Sequence, residues 1–443
     1  MMRESKKIFY GWWIVLALMA ISGSALALTI TTFNIYLNAF TKEMGISATQ
    51  FALCSTIINI TVMLFSPKVG KFIQHHTKKA LFIFLIGFCI SYAAFSIATN
   101  VMTLYVIAAF FGFFSTGLTF IPSTVLVNRW FIEKKGLAMS LALSGSALFG
   151  MLLSKYITYC IQHYSLAFAY QTVALMMFVG SALLIGFLIK GSPESIGLQA
   201  LGEGSVSIKQ NDSANQKLAL VNLEPKVLKK KPFFWSMLAA QFLVGLVGGG
   251  IVLQLPVYLQ NIFGLEQAAN FLVISLAIMI FAKVILGWLY DRLGTLRTTI
   301  IVTISVLITC SSFIFTNSSS MWGLGLIGVM FWGIGNCIGT VTPAVVASKT
   351  YGQENYGEVY GICLRFQTLG IALGVPTISM LVSMTGSFTS VWIICSILTI
   401  FLLLFYAYGL YGSNAYRTDE KKEAHIHSTD MPAEIALASS TKF

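Results

Sequence analysis

Residues 268–297 read AANFLVISLAIMIFAKVILGWLYDRLGTLR. Between Ala268 and Tyr290 one side chain, Lys283, carries charge, and the run then breaks into Asp291-Arg292 and a glycine. A membrane-spanning helix needs roughly 20 apolar residues, and in hydrocarbon its backbone groups must bond within the segment. The stretch is therefore a spanning helix that ends at a charged loop. Similar runs occupy 12–39, 49–69, 80–98, 102–127, 137–161, 168–189 and 233–263 before it, and 298–315, 321–347, 357–384 and 387–411 after it. The chain thus reads as an all-α integral membrane protein of twelve transmembrane helices, helix 8 being the one quoted.

Composition agrees. Of 443 residues, 56% are hydrophobic and 10% charged, against about 25% charged in soluble domains. Arg3, Lys6 and Lys7 followed by Ala25-Leu26-Ala27 imitate a secretory signal, but the apolar run continues past that point, so the start reads as helix 1. The seven cysteines form no CxxC pair and read as small core residues, not a metal site. No metal cluster, nucleophile–base set or cofactor loop is visible. The glycines 248–250 lack the lysine and serine of a phosphate loop. An enzyme, a metal and a cofactor are not expected.

The net charge is +12. With the N-terminus in the cytosol, every Lys and Arg falls in a cytosolic segment except Lys42, Lys155, Lys283 and Arg365. That asymmetry puts both termini inside and accounts for the charge without nucleic acid. The polar, lysine-rich stretch 191–231 separates a bundle at 1–190 from a second at 232–412, and 413–443 reads as a disordered cytosolic tail. An internal repeat supports two six-helix bundles. Gly136 lies six residues past Trp130, and Gly357 six past Tyr351; Gly287-x3-Asp291-Arg292-x-Gly294-x2-Arg297 has a weaker echo at Gly70-x3-Gln74-His75-x-Thr77-x-Lys79.

These residues resemble the major facilitator superfamily, whose loop 8–9 signature Gly287, Asp291, Arg292, Gly294 and Arg297 match. In the loop 2–3 copy Gln74 replaces the acid, so the helix-to-helix charge lock is not expected there. Tyr10-Gly11-Trp12-Trp13, Arg129-Trp130-Phe131 with Lys135-Gly136-Leu137-Ala138, and Pro193-Glu194-Ser195-Ile196-Gly197-Leu198 are similar to the monocarboxylate-transporter and oxalate/formate-antiporter branch. The resemblance implies alternating access between two bundles, with gating or structural roles for the loop 8–9 residues and Arg129. It also implies an essential cation four residues before a helix 8 glycine, where Lys283 stands, and a helix 11 cation near Gln367, two residues from Arg365.

Charge inside a span costs about 2.5–3.5 kcal/mol by insertion scales and defaults to function. Lys283 lies roughly 12 Å in from Asp291, and Arg365 roughly 10 Å in from Glu358. All acids sit in loops, termini or helix ends. The two cations could therefore grip one small carboxylate, Arg as a fork and Lys as a point charge; snorkelling to the interface is the plainer alternative. Lys155, roughly 28 Å past Gly136, reads as snorkelling or gating near the outer surface. Thr31, Asn34 and Asn38 share a face of helix 1, and Gln254, Tyr258 and Asn261 a face of helix 7; both are candidate cavity walls or ordinary interhelical contacts. Gly248–Gly250 with Pro256, and Gly370-x3-Gly374-x-Pro376, would loosen helices 7 and 11 for gating.

The expected function is secondary active or facilitative transport of a mono- or dicarboxylate across the cytoplasmic membrane by a monomer. Missing intramembrane acids favour antiport over proton symport, with protons an optional second partner. Export of larger amphipathic anions or drugs, and a non-transporting membrane sensor, are the alternatives.

Overall fold

The structure, a computed structural model, describes residues 9–36, 39–40, 45–203, 225–316, 318–351 and 355–429, with the side chains of 34, 48, 49, 52, 253, 265, 375, 379 and 416–429 outside that description. Among the described residues, 12 helices are long and apolar enough to cross a bilayer. They are α1 (Gly11–Thr31), α2 (Leu53–His75), α3 (Thr77–Ile97), α4 (Val101–Trp130), α5 (Lys135–His163) and α6 (Leu166–Phe187), then α7 (Pro232–Phe263), α8 (Glu266–Arg292), α9 (Thr295–Phe315), α10 (Ser319–Tyr351), α11 (Tyr356–Thr385) and α12 (Phe388–Ala415). Within the first six, α1 packs on α5, α2 on α4 and α3 on α6; within the last six, α7 packs on α11 and α12, and α9 on α10 and α12. The two sets meet along α2–α11 and α5–α8. The loops after α2, α4, α8 and α10 share one end, here called the basic end for its lysines and arginines.

Several spans are less regular than an apolar run suggests. The α-helix of α1 ends at Leu26; a π-turn covers Ala27–Thr31 and a 3-10 turn Phe33–Tyr36. Thr29 and Thr32 turn their hydroxyls onto the carbonyls of Ala25 and Ala27, feeding backbone groups that an ideal helix would pair. The change of turn shifts the phase on which the Thr31–Asn34–Asn38 face depends. Repeat partners α4 and α10 break at matching places. In α4 the pause lies between Thr116 and Phe120, where Ser115 and Thr116 both donate to the Gly112 carbonyl. In α10 a 3-10 turn fills Asn336–Gly339.

Several glycines of helices 7 and 11 act through contact, although Gly248 faces open space. A methyl on Gly370 or Gly374 would strike the backbone of Phe242 or Leu246, and one on Gly245 the backbone of Gln367. Small residues let two backbones approach where no hydrophobic effect drives association. The α12 helix runs on to Thr429, past residue 413 where the tail was expected to begin, and 430–443 lie outside the described residues.

Candidate functional site at the seam between the two helix sets

The repeat glycines form two cross-set pairs at the basic end. Gly136 of α5 lies against Gly287 of α8, and Gly70 of α2 against Gly357 of α11; a methyl at any of the four would overlap the opposite backbone. Each pair is closed by a side chain that caps a helix belonging to the other set. The first N–H groups of a helix lack internal partners, and its dipole is positive there. The Asp291 carboxylate accepts from Gly136 N–H at 2.8 Å and Leu137 N–H at 2.9 Å, so it straddles the start of α5. Gln74 Oε1 accepts from Gly357 N–H at the start of α11. The position where the motif lacks its acid therefore keeps a lock, in neutral form. Lys349 stands 3.6 Å from Asp291, and buried Lys135 donates to Asn128 Oδ1 at 2.7 Å. The turn that presents α5 to Asp291 holds Lys134 at φ 56, a left-handed conformation costing a non-glycine residue about 1 kcal/mol. Lys71–Glu358, at 3.9 Å and largely exposed, adds little.

The neutral lock can be tested by charging it. Gln74→Glu is expected to slow maleimide labelling at a Ser66→Cys position in the α2–α11 seam by about two- to fivefold, the equivalent of 0.5–1 kcal/mol at a helix N-terminus. Unchanged or faster labelling would refute a capping role for Gln74.

Lys283 and Arg365 lie in different seams. Lys283, 1% exposed, donates to the Leu143 carbonyl at 3.2 Å and the Ser146 hydroxyl at 2.9 Å, both on α5. Arg365 reaches from α11 to α2, donating from Nε to the Met63 carbonyl at 2.9 Å and from Nη2 to that of Leu64 at 3.0 Å. The reason is Pro67, inside α2. Proline lacks the N–H that would bond the carbonyl four residues earlier, and its ring crowds that carbonyl. That carbonyl is Met63's, and Arg365 supplies the missing donor from the opposite set.

Arg365→Ala should therefore lower stability by about 1.5–3 kcal/mol, the worth of hydrogen bonds from a charged donor, here to a part-buried carbonyl and an exposed one. Pro67→Ala restores an N–H for Met63 and should recover at least about 1 kcal/mol of that loss in a double-mutant cycle read by unfolding in detergent. Additive effects would sink this account of Arg365.

The remaining candidates scatter. Tyr258 is buried in the second set, its hydroxyl donating to the carbonyls of Phe313 and Thr316 at the end of α9 and its ring packed on Phe313, Phe388 and Trp392. Its phenol serves as a cap for α9 because those last carbonyls lack helical partners. Gln254 is partly buried, while Asn261, Thr31 and Lys155 are exposed. Asn34 lies in the 3-10 turn, its side chain outside the described residues, as is Asn38 altogether. Gln367 donates to the Gly339 carbonyl at the α10 break. Gly294, at φ +85, turns the chain from α8 into α9. Arg292 leaves the seam and lies over the Trp288 ring at 4.5 Å, and Arg297 is exposed outside it.

Three stretches distant in sequence converge on the end of α6. Its last carbonyls and those just beyond accept from Lys78 (Gly186), Tyr10 (Leu188), Trp130 (Lys190) and Arg129 (Gly191). Arg129 also bonds the backbone carbonyl of Gln74 and the Thr77 hydroxyl, joining this cluster to the α11 cap. Phe9, Tyr10 and Trp12 pack on Trp130 and Phe131. Residues 193–201 fold back through a 3-10 turn, and Leu201 bridges to the backbone of Trp130, Ile132 and Glu133. Glu194 has its carboxyl held below the usual range, first by the Ser192 hydroxyl, with the Arg129 charge contributing.

Known proteins share this arrangement of helices and are similar in sequence. A solved structure described as the Major Facilitator Superfamily transporter FucP in the outward conformation superposes with TM-score 0.65 at 14% identity, over 90% of this chain and 98% of its own. MFS-type transporter hasB of Aspergillus fumigatus is 26% identical over 352 residues, 77% of this chain and 74% of that protein. Monocarboxylate transporter 12-B of Danio rerio is 23% identical over 418 residues, covering 89% and 86%. The family model of the Major Facilitator Superfamily matches residues 17–375. Twelve spans, paired seams and that match together make this chain a multi-pass membrane transporter belonging to the Major Facilitator Superfamily.

Proposed function

We propose that this transporter moves a small organic anion, a mono- or dicarboxylate, by alternating access across the cytoplasmic membrane, with its basic end in the cytosol. The observation that carries the reading is Lys283: a cation sealed in the α5–α8 seam whose partners, the Leu143 carbonyl and the Ser146 hydroxyl, are neutral. Those partners satisfy its hydrogen bonds but not its charge, which a carboxylate entering as α5 and α8 part would do. In this conformer the glycine pairs and the caps of Asp291 and Gln74 hold the basic end shut. Rocking the sets apart along α2–α11 would release Arg365 from the Met63 and Leu64 carbonyls for a second contact. Gln254, Asn34 and Asn38 remain candidates for the wall near the opposite end. No described span carries Asp or Glu away from its ends, which favours exchange of one anion for another over proton symport. Similarity to a protein named monocarboxylate transporter 12-B points the same way.

Counterflow of labelled lactate, pyruvate, formate and oxalate in proteoliposomes tests the reading. Exchange of at least one supports it. Exchange confined to bulky hydrophobic anions would replace it with an exporter, and ligand stabilisation without counterflow would replace it with a sensor.

A further inference from the structure

A cleft of about 630 Å³ opens at the basic end of the second helix set, touching the α5–α8 seam only at one edge, through Lys349. Its walls come from the α8–α9 turn, the end of α10 and the end of α12, and include Leu293, Thr295, Arg297, Lys349 and Tyr411. Among the described residues, two lining side chains are cations and none is a carboxylate. Arg297 is exposed and makes no hydrogen bond or ion pair among the described residues. Behind it Gly294 starts α9, so the unpaired N–H groups of that helix add positive potential to the same wall. The rest of the lining mixes apolar and aromatic residues (Leu293, Leu296 and Tyr411 among them) with polar ones (Thr295, Ser413 and Asn414 among them).

The depth of the cleft is set by α12. From Phe388 to Tyr411 the helix rises roughly 35 Å, more than the roughly 30 Å of a hydrocarbon core. Tyr411 is 73% and Trp288 44% exposed, as expected of aromatic side chains at a membrane–water boundary. The cleft therefore lies at headgroup level, where phosphate is the abundant anion. Its volume falls in the range of small-molecule pockets, and its mixed walls suit a charged head on an apolar stem.

We propose that this cleft is a binding site for a phosphate group, carried by an anionic phospholipid headgroup or by a soluble phosphate, with Arg297 and the α9 N-terminus as its main ligands and Lys349 at its edge. This does not depend on the identity of the transported anion. The test is native mass spectrometry of the full chain released from nanodiscs of phosphatidylcholine with or without phosphatidylglycerol. The wild type is expected to retain phosphatidylglycerol at least about fivefold over phosphatidylcholine. Arg297→Gln should abolish the preference, while Arg292→Gln, at the neighbouring arginine outside the cleft, should keep it. Leu293→Glu, an exposed change at the rim that adds a repelling charge, should also abolish it, which covers the case that Arg297→Gln fails to fold. In phosphatidylcholine alone, inorganic phosphate that raises the thermal midpoint of the wild type but not of Arg297→Gln would support the site and assign it to a soluble anion. Equal retention of both lipids with no response to phosphate, or a preference unchanged in Arg297→Gln and Leu293→Glu, would overturn the proposal.

Discussion

Replacing Lys283 with Gln is expected to cut carboxylate counterflow by about 10- to 100-fold, matching the 1.5–3 kcal/mol carried by a hydrogen bond to a charged group. The same change should leave the protein at least as stable as the wild type. In the sealed conformer the ammonium has neutral partners only, so its removal relieves a desolvation cost and breaks no ion pair among the described residues. Gln is long enough to retain a bond to Ser146. Loss of transport with stability unchanged or raised separates a ligand for an anion from a structural bolt. Lys283→Arg keeps the charge and should retain more transport than Lys283→Gln. Full activity in Lys283→Gln would end the anion-carrier reading, and a parallel loss of folding would recast Lys283 as a structural tie between α5 and α8.

Asp291→Ala should open the basic end. The carboxylate joins the start of α5 to the end of α8 through two backbone N–H groups and faces Lys349. Losing an anionic cap at a partly buried helix N-terminus costs up to about 2 kcal/mol, which moves the balance of closed and open conformers by about 30-fold. Ser140, buried against Gly287, reports that seam. Maleimide labelling at a Ser140→Cys position should accelerate at least about tenfold in Asp291→Ala; the native cysteines are all buried. Asp291→Asn keeps an acceptor oxygen and should fall between. Labelling that does not change would mean the glycine contact alone holds the gate.

Much of this molecule was legible from local chemistry. Run length and the scarcity of charge are enough to require twelve spans, because hydrocarbon penalises every unpaired backbone group within each segment separately. The repeat also had physical content: Gly136 with Gly287, and Gly70 with Gly357, are two of the points where the two sets touch. The candidate site was legible only in part. Reading Gln74 as a lost acid missed that a neutral acceptor still caps a helix. Reading the helix 11 glycines as loosening missed that Gly370 and Gly374 each meet the backbone of helix 7, while of the helix 7 glycines Gly248 faces open space. Pro67 stands four residues past Met63, a visible sign of an orphaned carbonyl, but nothing along the chain says that Arg365 will answer it.

What the sequence by itself determined is that each span exists and which positions carry charge inside it, since these follow from the free energy of one segment against solvent or lipid. Only the tertiary structure decided the partners. Asp291 meets a helix start 155 residues away, and Arg365 a carbonyl 302 residues away. Such pairings depend on which face of one helix is turned to another, an angle that the π-turn in α1 and the breaks in α4 and α10 reset, and that apolar composition leaves free because lipid and a neighbouring helix are equally good solvents for a leucine.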